Sequence, residues 1–162
     1  MLSEDPYLTR QDIAPQVKAA HGDIPIYGGR DEVPMFTDAS MNGSARVGFP
    51  AEFMPDIFLD DGEELELAGF KIRVIATPGH TEGGVCFYFP EEKILISGDT
   101  LFSWDFGRTD LPGGSMEVLV YSIIEKLFRL PDDVEVFPGH EESTDLGTEK
   151  KRNSILQFKY LL

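Results

Sequence analysis

The sequence predicts a mixed α/β domain, with hairpins of an antiparallel sheet first and covering helices after them. Three observations carry this. Short apolar runs bounded by Gly and Pro recur between residues 57 and 98, which is the pattern of strands. From Ser115 onward Val120, Ile123, Ile124 and Leu127 fall on one helical face. The length, 162 residues, suits one domain, and residues 1–162 read as a single one. Periodicity alone gives nothing finer than mixed α/β.

Residues 1–10 are polar, contain Pro6 and read as a loose lead-in. Ile13, Val17 and Ala20 at helical spacing predict a short amphipathic helix over 11–21, with His21 at its end as a capping or surface residue. Ile24 to Tyr27 reads as a short strand closed by Gly28-Gly29. Residues 30–56 have little periodicity and several Pro and Gly, which predicts an irregular excursion. Its Phe36, Met41, Phe49, Phe53 and Met54 read as packing under a loop, with an apolar wall for substrate as the sharper alternative.

Ile57 to Leu59 reads as a strand and Asp60-Asp61-Gly62 as a turn. Glu64 to Leu67 alternates polar and apolar, as a half-buried strand does. Strands follow from Phe70 to Ala76, from Val85 to Phe89 and, after a hairpin at Pro90 to Lys93, from Ile94 to Ile96. Ser115 after Gly113-Gly114 is a good N-cap for the long helix, and Pro131 stops it. Val134 to Phe137 is the last expected strand, and Thr148 to Phe158 a terminal helix.

Composition narrows the function classes. Asp and Glu number 29 against 14 Lys and Arg, a net charge of −15. Nucleic acid and anionic membranes need a basic surface, so neither is expected as a partner. The one cysteine, Cys86, sits mid-strand and reads as a buried structural thiol. No apolar run reaches the length of a membrane span, and the start lacks the basic and apolar regions of a signal peptide. A cytoplasmic protein is the expectation.

The stretch that organises the chain is a repeated local pattern. Three times an apolar strand ends in a tight glycine turn that delivers a candidate metal ligand. Ile72 to Ala76 leads into Thr77-Pro78-Gly79-His80; Ile94 to Ile96 leads into Ser97-Gly98-Asp99; Val134 to Phe137 leads into Pro138-Gly139-His140. The chain has only three histidines, and two of them occupy these turns. Imidazole is the commonest transition-metal ligand, and a carboxylate can bridge two ions. Arg108, in Gly107-Arg108-Thr109-Asp110, reads either as a stabiliser of an anionic substrate or as an arginine locked by Asp105 or Asp110 to hold the loop.

Taken together, TPGHT, SGDTLF, GRTDLPGGS and the second PGH resemble the metallo-β-lactamase superfamily, within it the short glyoxalase II-like (hydroxyacylglutathione hydrolase-like) hydrolases. The resemblance covers residues 57–153 well and 13–56 more loosely. It implies an αββα sandwich in which His80 binds one ion, Asp99 bridges two and His140 binds the second. The cofactor implied is zinc, two ions in an intact relative, with iron or manganese as alternatives. The implied activity is hydrolysis of thioesters such as S-lactoylglutathione by a metal-bound hydroxide.

Two departures from the family stand out. Its His-x-His-x-Asp-His signature, source of four further ligands, is not in this sequence, so the expected fold lacks the first strands and that loop. Each ion would then have two protein ligands, too few for tight binding. Family members also usually carry Gly where Glu141 follows the last His. A sheet edge left open in this way implies a homo-oligomer. Two other functions stay open on the same residues: an iron-dependent persulfide dioxygenase, whose relatives share the Gly-Arg-Thr-Asp loop, and a non-catalytic copy acting as an interaction module.

Overall fold

The computed structural model describes residues 10–22, 24–48 and 50–162; the lead-in over 1–9 lies outside it, as do the side chains of residues 10–15 and 47. The chain forms two compact units, Met1–Leu59 and Asp60–Leu162.

In the first unit, helix α1 (Arg10–His21) is followed by strand β1 (Tyr27–Gly29), helix α2 (Val33–Thr37) and strand β2 (Ile57–Leu59). Strands β1 and β2 pair in parallel, Tyr27 opposite Ile57. The strand expected over 24–27 therefore sits further on and includes both glycines. Gly28 is buried rather than a turn: a Cβ there would lie 2.6 Å from the Phe36 ring and 2.7 Å from Pro55. The stretch expected to be irregular contains α2 and 3₁₀ turns at Arg30–Glu32 and Ser44–Val47. Its polar side chains replace a regular ladder. The Asn42 amide donates to the carbonyls of Met35 and Ala51, each at 2.9 Å, and Glu52 accepts the Ala39 N–H at 3.0 Å. Phe36 and Phe53 pack ring to ring at 5.2 Å.

The second unit is built on one six-stranded sheet. Its strands are β3 (Glu64–Leu67), β4 (Phe70–Ala76), β5 (Val85–Phe89), β6 (Ile94–Gly98), β7 (Glu135–Pro138) and β8 (Thr144–Asp145), in sequence order across the sheet. Hairpins make every pairing antiparallel except β6 with β7, which is parallel. The antiparallel hairpins expected from the sequence are present, and the parallel pairing of β6 with β7 is the addition to them. The helical crossover between these two strands returns the chain to its starting end, and only a long connection of this kind joins parallel neighbours. Strand β8 itself was not expected.

One face of the sheet carries the core. Cys86, Leu95 and Val136 are fully buried against Leu119, Val120, Ile123 and Leu127. These last four lie on the helical run that begins with α3 (Met116–Tyr121) and continues as wider and then tighter turns to Arg129. Ser115 caps it, accepting the Val118 N–H at 3.4 Å. Each large aliphatic side chain so buried contributes roughly 1.5–3 kcal/mol. The terminal helix is broken where one helix was expected. α4 (Leu146–Arg152) ends at Asn153, whose side chain accepts the Ile155 N–H at 2.9 Å and starts a 3₁₀ helix over Ser154–Leu161.

The pairing has one consequence for function. Strands β4 and β6 flank β5 and so run the same way, and β7 runs with β6. All three therefore finish at the same end of the sheet, where ligand sites of open α/β sheets lie.

Candidate metal centre

Each of the three strand ends releases its turn at that common edge. After β4, the Thr77 N–H donates to Gly84 O at 2.7 Å and the Gly79 N–H to Thr81 O at 2.8 Å, folding His80 back over the sheet end. Gly79 has φ +132°, and a Cβ on it would meet Leu119 backbone atoms at 2.5 Å. Only glycine suits both that conformation and that contact. The long helix grips the same turn: Ser122 Oγ donates to Pro78 O at 2.7 Å and the Ser115 N–H to Gly79 O at 2.8 Å. After β6 and β7, Gly98 pairs with Pro138, and the Gly139 N–H donates to Gly98 O at 2.8 Å, so Asp99 and His140 emerge side by side.

These turns bring His80, Asp99 and His140 together. His80 Nε2 lies 3.9 Å from Asp99 Oδ2, and His140 Nε2 lies 3.8 Å from Asp99 Oδ1. The two carboxylate oxygens thus face two different imidazoles. Both gaps are too long for hydrogen bonds. Two tetrahedral ligands on one zinc, each about 2.0–2.1 Å from it, stand about 3.4 Å apart, so each gap is near what an ion requires. Asp99 Oδ1 is buried and has no hydrogen-bond partner. An orphaned buried oxygen is rare and asks for an explanation, and a cation supplies one. His80 is oriented for the same role. Its Nδ1 lies 2.8 Å from the carbonyl of Arg108, which can only accept, so Nδ1 carries a proton and Nε2 is the nitrogen turned toward Asp99.

The donor set, imidazole nitrogen with shared carboxylate oxygen, fits zinc, iron or manganese. It is not a closed cage: among the described residues no group of three His, Cys, Asp or Glu side chains surrounds one point. Each ion would receive one nitrogen and one oxygen from these three residues.

Beneath the turns lies a buried polar cluster that the sequence did not reveal. Thr77 Oγ1 is 3.0 Å from Thr100 Oγ1 and 3.2 Å from Cys86 Sγ, linking the ends of β4 and β6. Cys86 is fully buried, and burial pushes its thiol up to about 11, against the opposing hydrogen bond from Thr77. Gly107 was also missed as a site residue. A Cβ there would sit 1.9 Å from Asp99 O and 3.2 Å from His80 Nδ1.

Arg108 and Asp110 stand apart from the three ligands as a pair. Arg108 donates to both Asp110 oxygens, at 2.6 and 2.7 Å, and both side chains are about two-thirds exposed. The bidentate contact holds the Asp110 carboxyl down at about 2. Glu141 takes φ +72°, unusual for a residue with a side chain and natural for the glycine expected at that position. His21 is exposed.

A metallo-beta-lactamase superfamily model matches residues 14–140. The chain belongs to that superfamily. A probable metallo-hydrolase of Bacillus subtilis, YqgX, is 41% identical over 83% of this chain, which spans 64% of that protein. The hydroxyacylglutathione hydrolase GloC of Haemophilus influenzae is 36% identical over 94% of this chain, which spans 73% of it. Among solved superfamily structures, the B3 metallo-beta-lactamase BLEG-1 aligns with a TM-score of 0.81 and 36% identity over 87% of this chain and 68% of its own. A di-iron-bound form of TTHA1623 aligns at 0.74 and 34%, over 88% of this chain and 69% of its own. The mixed α/β architecture is thus that of the superfamily. Among the described residues no helix is long and apolar enough to cross a membrane.

Proposed function

We propose that this chain forms the core of a metal-dependent hydrolase of the glyoxalase II type, acting on small thioesters such as S-lactoylglutathione. One observation carries the reading: the Asp99 carboxylate offers one oxygen to each of two imidazoles, and its buried oxygen has no other partner. The relative named as a hydroxyacylglutathione hydrolase supports the substrate class. The di-iron form of a similar structure keeps iron beside zinc and manganese as the metal.

When bound, the metal would polarise a carbonyl oxygen and make water a usable nucleophile at neutral pH. The residues do the rest. His80 and His140 would present Nε2, with the carbonyl of Arg108 fixing the tautomer of His80. Asp99 would neutralise charge on both sides and set their separation. Arg108 and Asp110 would hold the loop whose Gly107 lies against Asp99, rather than touch substrate. The net charge of −15 supports a small-molecule substrate over nucleic acid. These three residues would supply two donors to each ion.

The test strips metal with a chelator, restores zinc, manganese or iron, and follows S-lactoylglutathione cleavage. The expected result is turnover that needs added metal and disappears in Asp99→Ala. Undiminished, metal-dependent turnover in Asp99→Ala would remove this assignment of the site.

A further inference from the structure

Glu149 is a buried carboxylate with no place in the reaction just described. It is completely inaccessible, on helix α4. Three donors reach it: the Trp104 N–H at 2.9 Å and the Asn153 amide at 2.6 Å on Oε2, and the Thr144 hydroxyl at 2.6 Å on Oε1. A carboxylate, an acceptor only when ionised, is suited to such a set. Asn153, also buried, shares its amide hydrogens with the carbonyls of Phe102 at 3.2 Å and Asp105 at 2.9 Å. Ser154 adds its N–H to Trp104 O at 3.1 Å and its hydroxyl to Asp105 Oδ1 at 3.0 Å.

The contacts of Glu149 with Trp104, of Asn153 with Phe102 and Asp105, and of Ser154 converge on one tight turn, residues 102–105, closed by the Phe102 N–H on Asp105 O at 3.0 Å and by a bridge between Leu101 and Phe106. The turn begins three residues after Asp99. It contains Trp104 at φ +67°, where a bulky side chain is an outlier that persists only if its surroundings impose it. The other side of the turn meets the metal centre. The Phe102 ring, 5% exposed, packs on the His140 ring with centroids 4.5 Å apart and planes at 37°. The His140 side chain is 62% exposed, with Asp99 Oδ1 3.8 Å from its Nε2 and Glu141 Oε1 4.0 Å from its Nδ1. Phe102 is the ring packed against its face.

We propose that Glu149 is a positioning residue for the metal centre. With Asn153 it locks the 102–105 turn, so that Phe102 holds the His140 imidazole with Nε2 toward Asp99. The consequence for metal rests on the reading under Proposed function; the locking itself does not, and can be read without metal.

The experiment records the imidazole proton resonances of the metal-free protein, where three histidines give few signals and Phe102 displaces that of His140. Phe102→Ala defines the undisplaced position. Glu149→Ala is expected to move the His140 signal most of the way there while that of His21 stays put, and to weaken zinc binding about 10- to 100-fold. Glu149→Gln is expected to restore most of both, because its carbonyl can accept from Trp104 and Asn153 while its amide donates to Thr144. The double variant Glu149→Ala/Phe102→Ala should bind zinc no more weakly than either single one, as residues acting through one path are not additive. If Glu149→Ala does not fold, Asn153→Ser keeps a capping oxygen for Ile155, drops the clasps on Phe102 and Asp105, and should move the His140 signal in the same direction. A lowered melting temperature with the His140 signal unmoved, or additive losses in the double variant, overturns the proposal. Wild-type protein that shows the resonance pattern but binds no zinc leaves the positioning intact and refutes the metal reading instead.

Discussion

Gly107→Ala is the sharpest perturbation of the centre, because the added group is one methyl and its neighbours are fixed. The new Cβ would stand 1.9 Å from the Asp99 carbonyl oxygen. Tolerable carbon–oxygen contacts begin near 3.3 Å, so the approach is too close by about 1.4 Å. The obstacle is backbone at the end of β6, paired to β7 through Gly98, so no flexible side chain can swing away. Overpacking a rigid site costs typically 1–3 kcal/mol, and this geometry belongs at the top of that range, about 3 kcal/mol. At roughly 4 °C per kcal/mol, the melting temperature should fall by about 12 °C. The displacement runs through Asp99 and reaches His80 Nδ1 at 3.2 Å, so zinc affinity should fall as well. Thermal unfolding by circular dichroism and a zinc titration on the same sample measure both. A melting temperature within about 2 °C of wild type, with zinc binding intact, would refute the packing described here.

Three further outcomes follow from single groups. Asp99→Ala should raise the melting temperature of metal-free protein by about 4 °C while removing zinc binding, because the unpaired buried oxygen it deletes costs ~1–3 kcal/mol; a drop in stability would contradict the orphaned state of Oδ1. Cys86 should resist iodoacetamide in native protein at pH 8 and react fully in urea, since with a thiol at about 11 the ionised fraction is on the order of one in a thousand. The raised value also has a sign: stability from the neutral thiol is complete below its ordinary range near 9 and is lost as pH rises toward 11, so melting temperatures should decline over that interval, and less so in Cys86→Ser. Asp110, held low by Arg108, contributes above its ordinary value of 3.8 and loses that contribution as pH falls toward 2; being exposed and screened, its replacement by Asn should change the melting temperature at pH 7 by less than about 2 °C.

What the sequence disclosed, and what it withheld, follows the range of the interactions involved. The turns that carry His80, Asp99 and His140 are local, a short apolar run and then glycine, and each was legible as such. The fact that brings them together is not local: β4, β6 and β7 run in one direction because a helical crossover separates β6 from β7, and no residue in either strand encodes that. Gly28-Gly29 looked like a turn by composition, yet Gly28 lies mid-strand because Phe36 and Pro55 leave no space for a Cβ. The helical pattern from Thr148 to Phe158 continues through Asn153, so the break there was invisible; the amide is recruited by carbonyls about fifty residues earlier. Glu149 gave no signal either. A glutamate among Lys150, Lys151 and Arg152 reads as a solvated face, and only the fold shows that it is the one turned inward.

The central claim is that His80 and His140 share Asp99 through bound metal, and the histidine resonances of the protein titrated with zinc test it most directly. The ring signals of His80 and His140 should move or broaden together as zinc is added, that of His21 should stay where it is, and in Asp99→Ala all three should stay. Zinc that perturbs His21 as strongly as the other two, or that perturbs only one of His80 and His140, would contradict a shared centre.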